Sequence, residues 1–193
     1  MTPRRIALVA FPRLTFLDLI GVYDALRRVT PMGVAPDVSV TLIGTEAEVV
    51  DDSGLVVRAH KVYDDLTGYD LLCLPGGFGT RTLMQEARFV DYLKTWGPAR
   101  PLASVCTGSL LLGAAGYLRD LRATTHHNAV DALKPLCREV VTDRRIVDEG
   151  RVVTAGGVSS SLDLGLYLVE KYWGVPARER IAAQMEYTAY RAV

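Results

Sequence analysis

Two kinds of apolar segment alternate along the chain. Short, continuously apolar runs are typical of strands buried on both faces of a sheet, whereas longer segments with apolar residues three and four positions apart are typical of helices. The predicted strands are 5–11, 38–44, two short pieces within 49–62, 70–75, 102–106, and 139–148 with 151–155 as a hairpin. The predicted helices are 14–29, 80–96, 108–115, 130–136, 159–173 and 175–185.

Strands that alternate with helices predict βαβ units and a mostly parallel sheet with helices on both faces. No internal repeat, low-complexity tract or linker interrupts the 193 residues. The pattern therefore predicts one three-layer α/β domain that covers residues 1–193. Ligand sites in such sheets form at the carboxyl ends of the strands. The segments to search for function are therefore 12–18, 75–79, 106–109 and 156–161.

Composition excludes several classes of protein. Apolar residues make up 49% of the chain, and 22 Lys+Arg balance 22 Asp+Glu. The apolar fraction excludes a disordered chain, and a neutral chain with scattered basic residues is unlike a nucleic-acid binder. Three cysteines are too few for a disulfide framework and indicate free thiols in a reducing compartment. Since no segment fits a signal peptide or a membrane span, we expect a cytoplasmic protein without membrane or nucleic-acid partners.

The predicted strand 102–106 leads straight into Cys106, and a helix of small residues begins at Gly108. This is the layout of a nucleophile elbow, in which a sharp strand-to-helix turn projects one side chain over the sheet edge. A helix N-terminus lowers the pKa of a thiol, and its backbone amides stabilise a developing negative charge. Cys106 is therefore the candidate nucleophile, and the alternative is a buried filler residue.

Three glycines, Gly76, Gly77 and Gly79, follow the predicted strand 70–75. Glycine lets the backbone come close to a ligand, so the amides of Gly77 and Thr107 are candidates for an oxyanion hole. A tight turn without a ligand explains the same glycines equally well. A phosphate-binding loop is excluded because the Gly-Lys-Ser/Thr ending is missing.

Asp18 is an acid among apolar neighbours, near the start of the predicted helix 14–29. It follows Thr15 at the spacing of a capping box, so its plain interpretation is that of a helix cap. If the start of the helix faces Cys106, burial would raise the pKa of the Asp18 carboxyl. The acid could then share a proton with the thiol and act as a general acid/base.

The adjacent residues His126 and His127 cannot both face Cys106 as the base of a Cys–His pair. The alternative interpretation is a helix-capping or surface histidine. Because no Cys or His stands at ligand spacing around them, the sequence predicts no metal site.

The segment 155–163 combines two glycines with three serines and an acid. Ser160 and Asp163 stand at the spacing of a capping box. The segment therefore predicts a turn and the start of a helix, with the wall of a pocket as the alternative.

Together these motifs resemble the ThiJ/PfpI superfamily, and within it the isocyanide hydratase branch. The Cys-Thr-Gly-Ser elbow with the helix Asp is the combination most typical of that branch. The resemblance implies a flavodoxin-like, class I glutamine-amidotransferase-like fold, which is a three-layer αβα sandwich with a mostly parallel central sheet. The pieces that carry it are 11–18, 75–79, 104–109, 112–116, 123–126 and 156–158 with Asp163.

The resemblance also implies roles for individual residues. Cys106 would be the nucleophile and Asp18 its acid/base partner, and the amides of Gly77 and Thr107 would form an oxyanion contact. The family implies a homodimer with the site near the interface, a small-molecule substrate and no cofactor. Further candidates for the pocket are Gly76, Phe78, His126 and Ser159.

The implied reaction is the hydration of an isocyanide to an N-substituted formamide through a thioimidate on Cys106. One alternative is a glyoxalase-like or deglycase-like enzyme for reactive aldehydes, and another is a redox or ligand sensor related to AraC-type regulators. Thr107 stands where the peptidase and chaperone-like branches have His, and His127 stands where the hydratase branch commonly has Trp. The end at Val193 leaves no room for a helix-turn-helix domain, so a regulator would need a partner chain.

Overall fold

The computed structural model describes residues 2–190, in which strands and helices alternate. The strands are β1 (Arg5–Ala10), β2 (Ser39–Gly44), β3 (Glu48–Val50), β4 (Val56–Arg58), β5 (Lys61–Val62), β6 (Leu71–Leu74), β7 (Leu102–Val105), β8 (Arg122–Ala123), β9 (Glu139–Val140), β10 (Ile146–Asp148) and β11 (Val152–Ala155). The helices are α1 (Phe16–Leu26), α2 (Thr80–Leu83), α3 (Ala87–Lys94), α4 (Gly108–Ala114), α5 (Val130–Leu133), α6 (Ser160–Trp173) and α7 (Val175–Gln184). Short 3-10 turns lie at Leu66–Gly68, His127–Ala129 and Lys134–Leu136.

Seven strands form the central sheet, in the order β10-β11-β7-β6-β1-β2-β5. Every neighbouring pair is parallel except β10 and β11 at one edge. Strands β6, β7 and β11 are buried along their whole length, as continuously apolar runs predict. Helices α1, α6 and α7 pack together in one layer, and α2, α3 and α5 pack around α4 in the other. The predicted three-layer αβα sandwich with a mostly parallel sheet is confirmed.

The prediction of one helix over 80–96 is wrong, because the chain forms two helices there. Glu86, between α2 and α3, has extended backbone angles of φ −82° and ψ 108°. Gln85 and Glu86 are good helix formers, so their composition gives no sign of a break. Leu83 before the break and Phe89 after it are both buried. Packing of the two short helices on the core therefore overrides the local preference.

The prediction of one strand over 139–148 is also wrong. Strand β9 pairs in parallel with β8, whereas β10 pairs antiparallel with β11. The predicted hairpin turn at 149–150 is confirmed, since Gly150 has a φ of +78° and its amide donates to Asp148 Oδ1 at 2.7 Å. Within 49–62, β3 and β4 form a separate hairpin and β5 extends the main sheet.

Helices α1 and α6 approach closely because each presents a glycine to the other. A Cβ at Gly21 of α1 would lie 2.2 Å from Ser161 Oγ and 3.0 Å from the backbone nitrogen of Leu162. A Cβ at Gly165 of α6 would lie 2.8 Å from Ala25 Cβ. Asp18 is one turn before Gly21 on α1. The close contact therefore fixes the height at which α1 carries the Asp18 carboxyl above the sheet.

We expect Gly21→Ala to lower the free energy of unfolding by about 1–3 kcal/mol, since overpacking must shift α1 against α6. Urea unfolding followed by circular dichroism measures the change. Gly68→Ala is the matched control, because a Cβ there would meet no atom within 4 Å. Equal stability of the two variants would contradict the close-contact explanation.

Candidate active site

The loops that follow β1, β6, β7 and β11 meet at one edge of the sheet. These strands are neighbours and run in parallel, so their carboxyl ends lie together. The loop after β7 carries Cys106, and α1, which follows β1, carries Asp18. The edge predicted to hold a site is thus the place where these two side chains come together.

Cys106 occupies the predicted strand-to-helix turn in a strained backbone conformation, with a φ of +57°. Its amide donates to the carbonyls of Ala155 at 3.0 Å and Gly156 at 2.9 Å. Its carbonyl accepts from Thr125 Oγ1 at 3.0 Å and from Ser109 Oγ at 3.2 Å. A non-glycine residue persists in this region only where its surroundings over-determine it. These four hydrogen bonds hold the elbow and keep the thiol aimed away from the strand.

The Asp18 carboxyl is fully buried and interacts with the Cys106 thiol. Its Oδ2 accepts a hydrogen bond from the Gly76 amide at 3.0 Å. Its Oδ1 is buried and has no hydrogen-bond partner among residues 2–190. Thr15 precedes α1 but makes no side-chain cap bond. The carboxyl therefore serves the thiol and the Gly76 loop, and the capping interpretation of Asp18 is wrong.

The absence of a side chain at Gly76 leaves the space that Asp18 and Cys106 occupy. A Cβ on Gly76 would lie 2.6 Å from the Thr107 nitrogen, 2.7 Å from Cys106 Cβ and 2.8 Å from Asp18 Oδ2. Such distances are far inside van der Waals contact, so no larger residue fits without displacing the acid or the thiol. The glycine run after β6 thus allows backbone to approach the elbow, as the sequence predicts.

Burial raises the pKa of the Asp18 carboxyl to about 7, although its bonds with Cys106 and Gly76 act in the opposite direction. Burial and the Asp18 charge raise the pKa of the Cys106 thiol to about 12. The predicted lowering of the thiol pKa by the helix N-terminus is therefore wrong. The amides of Thr107 and Val158 do lower this pKa, but burial and Asp18 outweigh them. Groups coupled this strongly titrate as a pair, which holds one proton between these two values.

Two backbone amides face the Cys106 sulfur, those of Thr107 and Val158. The sequence predicts the Thr107 amide as an oxyanion contact but predicts no role for the Val158 amide. Val158 has a φ of +39°, and a β-branched residue rarely adopts such a conformation. The only sequence signal is indirect, namely the two glycines that precede it.

The Gly77 amide, the other predicted oxyanion donor, is engaged by a side chain. It donates to Thr107 Oγ1 at 2.9 Å, and the same hydroxyl donates to the Gly77 carbonyl at 3.1 Å. Gly77 has a φ of +131° and forms an isolated antiparallel bridge with Leu14. The observed bonds assign Gly77 to the support of the loop, and they leave Thr107 and Val158 as the amides directed at the sulfur.

A cavity of about 240 Å³ opens onto Cys106. Thr107 and Val158 line it beside the thiol, and Phe78, Arg81 and His126 line it elsewhere. Two of these were predicted pocket candidates, Phe78 and His126. Arg81 was missed, because a basic residue in a predicted surface helix gives no signal of its own.

His126 is a wall of this cavity and also the cap of a 3-10 turn. Its Nδ1 accepts a hydrogen bond from the Asn128 amide at 3.2 Å, which confirms the capping interpretation. Burial, first, and the nearby His127 and Arg81 charges lower the pKa of His126. A Cβ on Gly157 would lie 2.3 Å from His126 Cδ2, so the ring rests against this glycine.

Ser159 lies outside the Cys106 cavity and lines a wider neighbouring cavity of about 850 Å³. Its hydroxyl accepts from Arg145 at 3.0 Å, and Arg145 also forms an ion pair with Asp163. Ser159 precedes α6 without capping it. The capping box predicted from Ser160 and Asp163 is wrong, because Ser160 is the first residue of α6 and does not stand at its cap position. Asp163 also accepts hydrogen bonds from Arg145 and from the Tyr187 hydroxyl.

The other cysteines lie apart from this pair. Cys73 is buried within β6, as predicted, and burial raises its pKa. Cys137 is half-buried and follows the last 3-10 turn. Within residues 2–190, no group of three or more His, Cys, Asp or Glu side chains is arranged to hold a metal ion. The helices of that part of the chain are too short or too polar to cross a membrane.

Comparisons with known proteins show the family of this chain. The model of the DJ-1/PfpI family matches residues 4–171. The chain is 36% identical to the isonitrile hydratase of Pseudomonas putida, over 95% of this chain and 78% of that protein. It is 25% identical to the protein DJ-1 homolog B of Arabidopsis thaliana, over 82% of this chain but only 35% of that protein.

The structural likeness extends over the whole chain. A crystal structure of a ThiJ/PfpI family protein from Pseudomonas syringae superposes with a TM-score of 0.84 and 27% identity, covering 100% of this chain and 78% of that one. The elbow cysteine, the helix acid and the sheet order are therefore found in a chain whose sequence and fold both match one family. This chain belongs to the DJ-1/PfpI family.

Proposed function

We propose that this protein is a cysteine-dependent hydro-lyase that hydrates an isocyanide, R–N≡C, to an N-substituted formamide. The observation that carries the proposal is the buried Asp18 carboxyl beside the Cys106 thiol, which lines a small cavity. Isonitrile is another word for isocyanide, so the 36% identical relative supports this reaction class. The proposed cycle needs no metal and no organic cofactor.

In the first step the Cys106 sulfur attacks the terminal carbon of the isocyanide while Asp18 gives that carbon its proton. A C–S bond and a C–H bond form, the C≡N bond becomes C=N, and the product is a thioimidate with an ionised Asp18. This is nucleophilic catalysis coupled to general acid catalysis. A single proton suffices because the carboxyl and the thiol share it before the reaction.

In the second step Asp18 takes a proton from water, the resulting hydroxide adds to the thioimidate carbon, and Asp18 passes that proton to the nitrogen. The C–S bond then breaks, the hydroxyl proton passes to the Asp18 and Cys106 pair, and the formamide R–NH–CHO is released. The pair regains its one shared proton. The amides of Thr107 and Val158, which face the sulfur, stabilise the thiolate as it departs.

We expect Cys106→Ala to reduce kcat/KM for cyclohexyl isocyanide to less than about a thousandth of the wild-type value, since loss of a nucleophile removes the whole covalent route. Formamide formation is followed by gas chromatography. Cys73→Ala, in the buried strand β6, is the matched control and should retain activity.

The same assay separates the alternative functions. Consumption of methylglyoxal without any hydration of isocyanides would overturn the hydratase and support a glyoxalase-like or deglycase-like enzyme. Turnover of neither substrate, with selective oxidation of Cys106 by mild peroxide, would support a sensor.

We expect kcat/KM to rise as the pH passes about 7, because the doubly protonated pair loses a proton there and gains its nucleophile. The raised pKa of Asp18 places this step well above that of an ordinary carboxyl. Asp18→Asn should lower kcat/KM by about 10²-fold or more, the usual contribution of a general acid/base, and remove the rise near pH 7. Alkylation of Cys106 should persist in Asp18→Asn, which would show that the thiol is still present and accessible. Retained hydration with an unchanged pH profile would contradict the role of Asp18 as general acid/base.

We also propose that the protein forms a homodimer through α1 and the β3–β4 hairpin. Leu17 and Ile20 of α1 are exposed by 43% and 41%, and Leu55 and Val56 of the hairpin by 62% and 56%. The Arg13 amide donates to the Val50 carbonyl at 2.9 Å, which ties the hairpin to the loop before α1. Neighbouring apolar surfaces of this kind mark an interface. The exposed Phe78 ring lines the Cys106 cavity and its centroid lies 5.9 Å from the Arg13 guanidinium carbon, which supports an interface beside that cavity.

We expect the wild-type protein to be dimeric at micromolar concentrations and Ile20→Glu to be monomeric, because a charge would be buried without a partner. Size-exclusion chromatography with light scattering measures the mass. Val175→Glu is the matched control, since Val175 is 44% exposed at the start of α7. A monomeric wild type, or equal dissociation of both variants, would overturn this interface.

A further inference from the structure

Among residues 2–190, Arg81 stands at the cavity of Cys106 without a carboxylate partner. Its side chain lines the same cavity as the thiol, and the residue is exposed. The ion pairs and hydrogen bonds of residues 2–190 include none made by its guanidinium. The nearby Arg13 differs, since it is paired with Asp52 at 2.6 Å. Arg81 is therefore a cation that remains available at this cavity.

The Arg81 guanidinium acts on two other residues that line the cavity. Its guanidinium carbon lies 5.2 Å from the centroid of the Phe78 ring, another lining residue. Its charge also contributes to the lowered pKa of His126 on the cavity wall, after burial and His127. The lining includes the Asn128 side chain but neither Asp nor Glu among the described residues. One positive charge is thus presented to the cavity with no lining acid to neutralise it.

The buried side of the cavity, at Cys106, carries the opposite charge. Cys106 is 5% exposed and Asp18 beside it is fully buried. Between their raised pKa values of about 7 and about 12, the two groups hold one proton and one negative charge. An anionic group on a ligand is therefore repelled from the thiol end and attracted to Arg81. The electrophilic carbon belongs at Cys106, and any negative group of the ligand belongs at the exposed end.

We infer that the Cys106 cavity selects a substrate with an anionic group, a carboxylate above all, at the end opposite its electrophilic carbon. A guanidinium offers a carboxylate two parallel N–H donors, which gives orientation as well as attraction. The anionic selection rests on the cavity lining, on the charge of Arg81 and on the charge of the Asp18 and Cys106 pair. The identity of the electrophile rests on the proposed function, and with it the substrate class is an isocyanide that carries a carboxylate.

Alkylation of Cys106 tests this inference without requiring turnover. The probes are para-(bromomethyl)benzoate and para-(bromomethyl)benzamide, which have similar shapes and differ in charge. In both reactions the sulfur forms a C–S bond, the C–Br bond breaks and bromide leaves. The ratio of the two rates, measured by mass spectrometry at pH 8, cancels differences in thiol reactivity between variants. We expect Arg81→Met to lower the benzoate-to-benzamide ratio about fivefold, the size of one partly exposed charge pair, and added salt to lower the wild-type ratio.

Two variants control for charge and for folding. Arg81→Lys keeps the charge but loses the planar fork, so its ratio should lie between those of the wild type and Arg81→Met. Arg144→Met removes a charge of the same kind from an exposed arginine that lines the wider neighbouring cavity and not that of Cys106. Its ratio should equal that of the wild type. An unchanged ratio in Arg81→Met, or an equal fall in Arg144→Met, would overturn the inference.

A second assay distinguishes a failure of the anionic selection from a failure of the hydratase proposal. Hydration of para-isocyanobenzoate and of its methyl ester is measured on the same variants. If neither is hydrated but the alkylation ratio depends on Arg81, the reaction class is wrong and the anionic selection stands. If both are hydrated at equal kcat/KM and the alkylation ratio ignores Arg81, the hydratase stands and the anionic selection is wrong.

Discussion

The burial of a carboxyl and a thiol beside each other is the constraint on which the rest of this site depends. Burial disfavours the charged form of both Asp18 and Cys106, so their pKa values are raised together. Neither group is stable there as an isolated anion. The structure limits the cost by directing the Gly76 amide at the carboxylate and the amides of Thr107 and Val158 at the sulfur. The positive φ angles of Cys106 and Val158 serve the contacts at the sulfur.

The scaffold supports that pair by holding the backbone in conformations that residues other than glycine rarely adopt. Cys106 and Val158 both have positive φ, and hydrogen bonds to the Cys106 amide and carbonyl hold the elbow. On the other side, the contact of α1 with α6 at Gly21 sets the position of Asp18. Strain of this kind persists because the surroundings over-determine it. The thiol and the acid therefore meet as parts of a rigid frame and not through flexible side chains.

The fold was predictable wherever burial alone decides structure. Strands β6, β7 and β11 are buried on both faces, and their apolar runs are visible in the sequence. The predictions failed where tertiary contacts override local preference. The break at Glu86 lies between good helix formers, and the predicted strand 139–148 divides between two partners. Neither choice has a local energetic signal, because each depends on what the segment packs against.

By itself, the sequence determined the alternation of strands and helices, the elbow at Cys106 and the presence of an acid early in α1. Periodicity, glycine positions and residue type are local properties, and these features depend on nothing else. Only the tertiary structure decided that Asp18 faces the thiol and does not cap its helix, that burial raises the pKa of Cys106, and that Val158 and Arg81 belong to the same cavity. The physical reason is that desolvation and charge act through space, between segments that are distant along the chain.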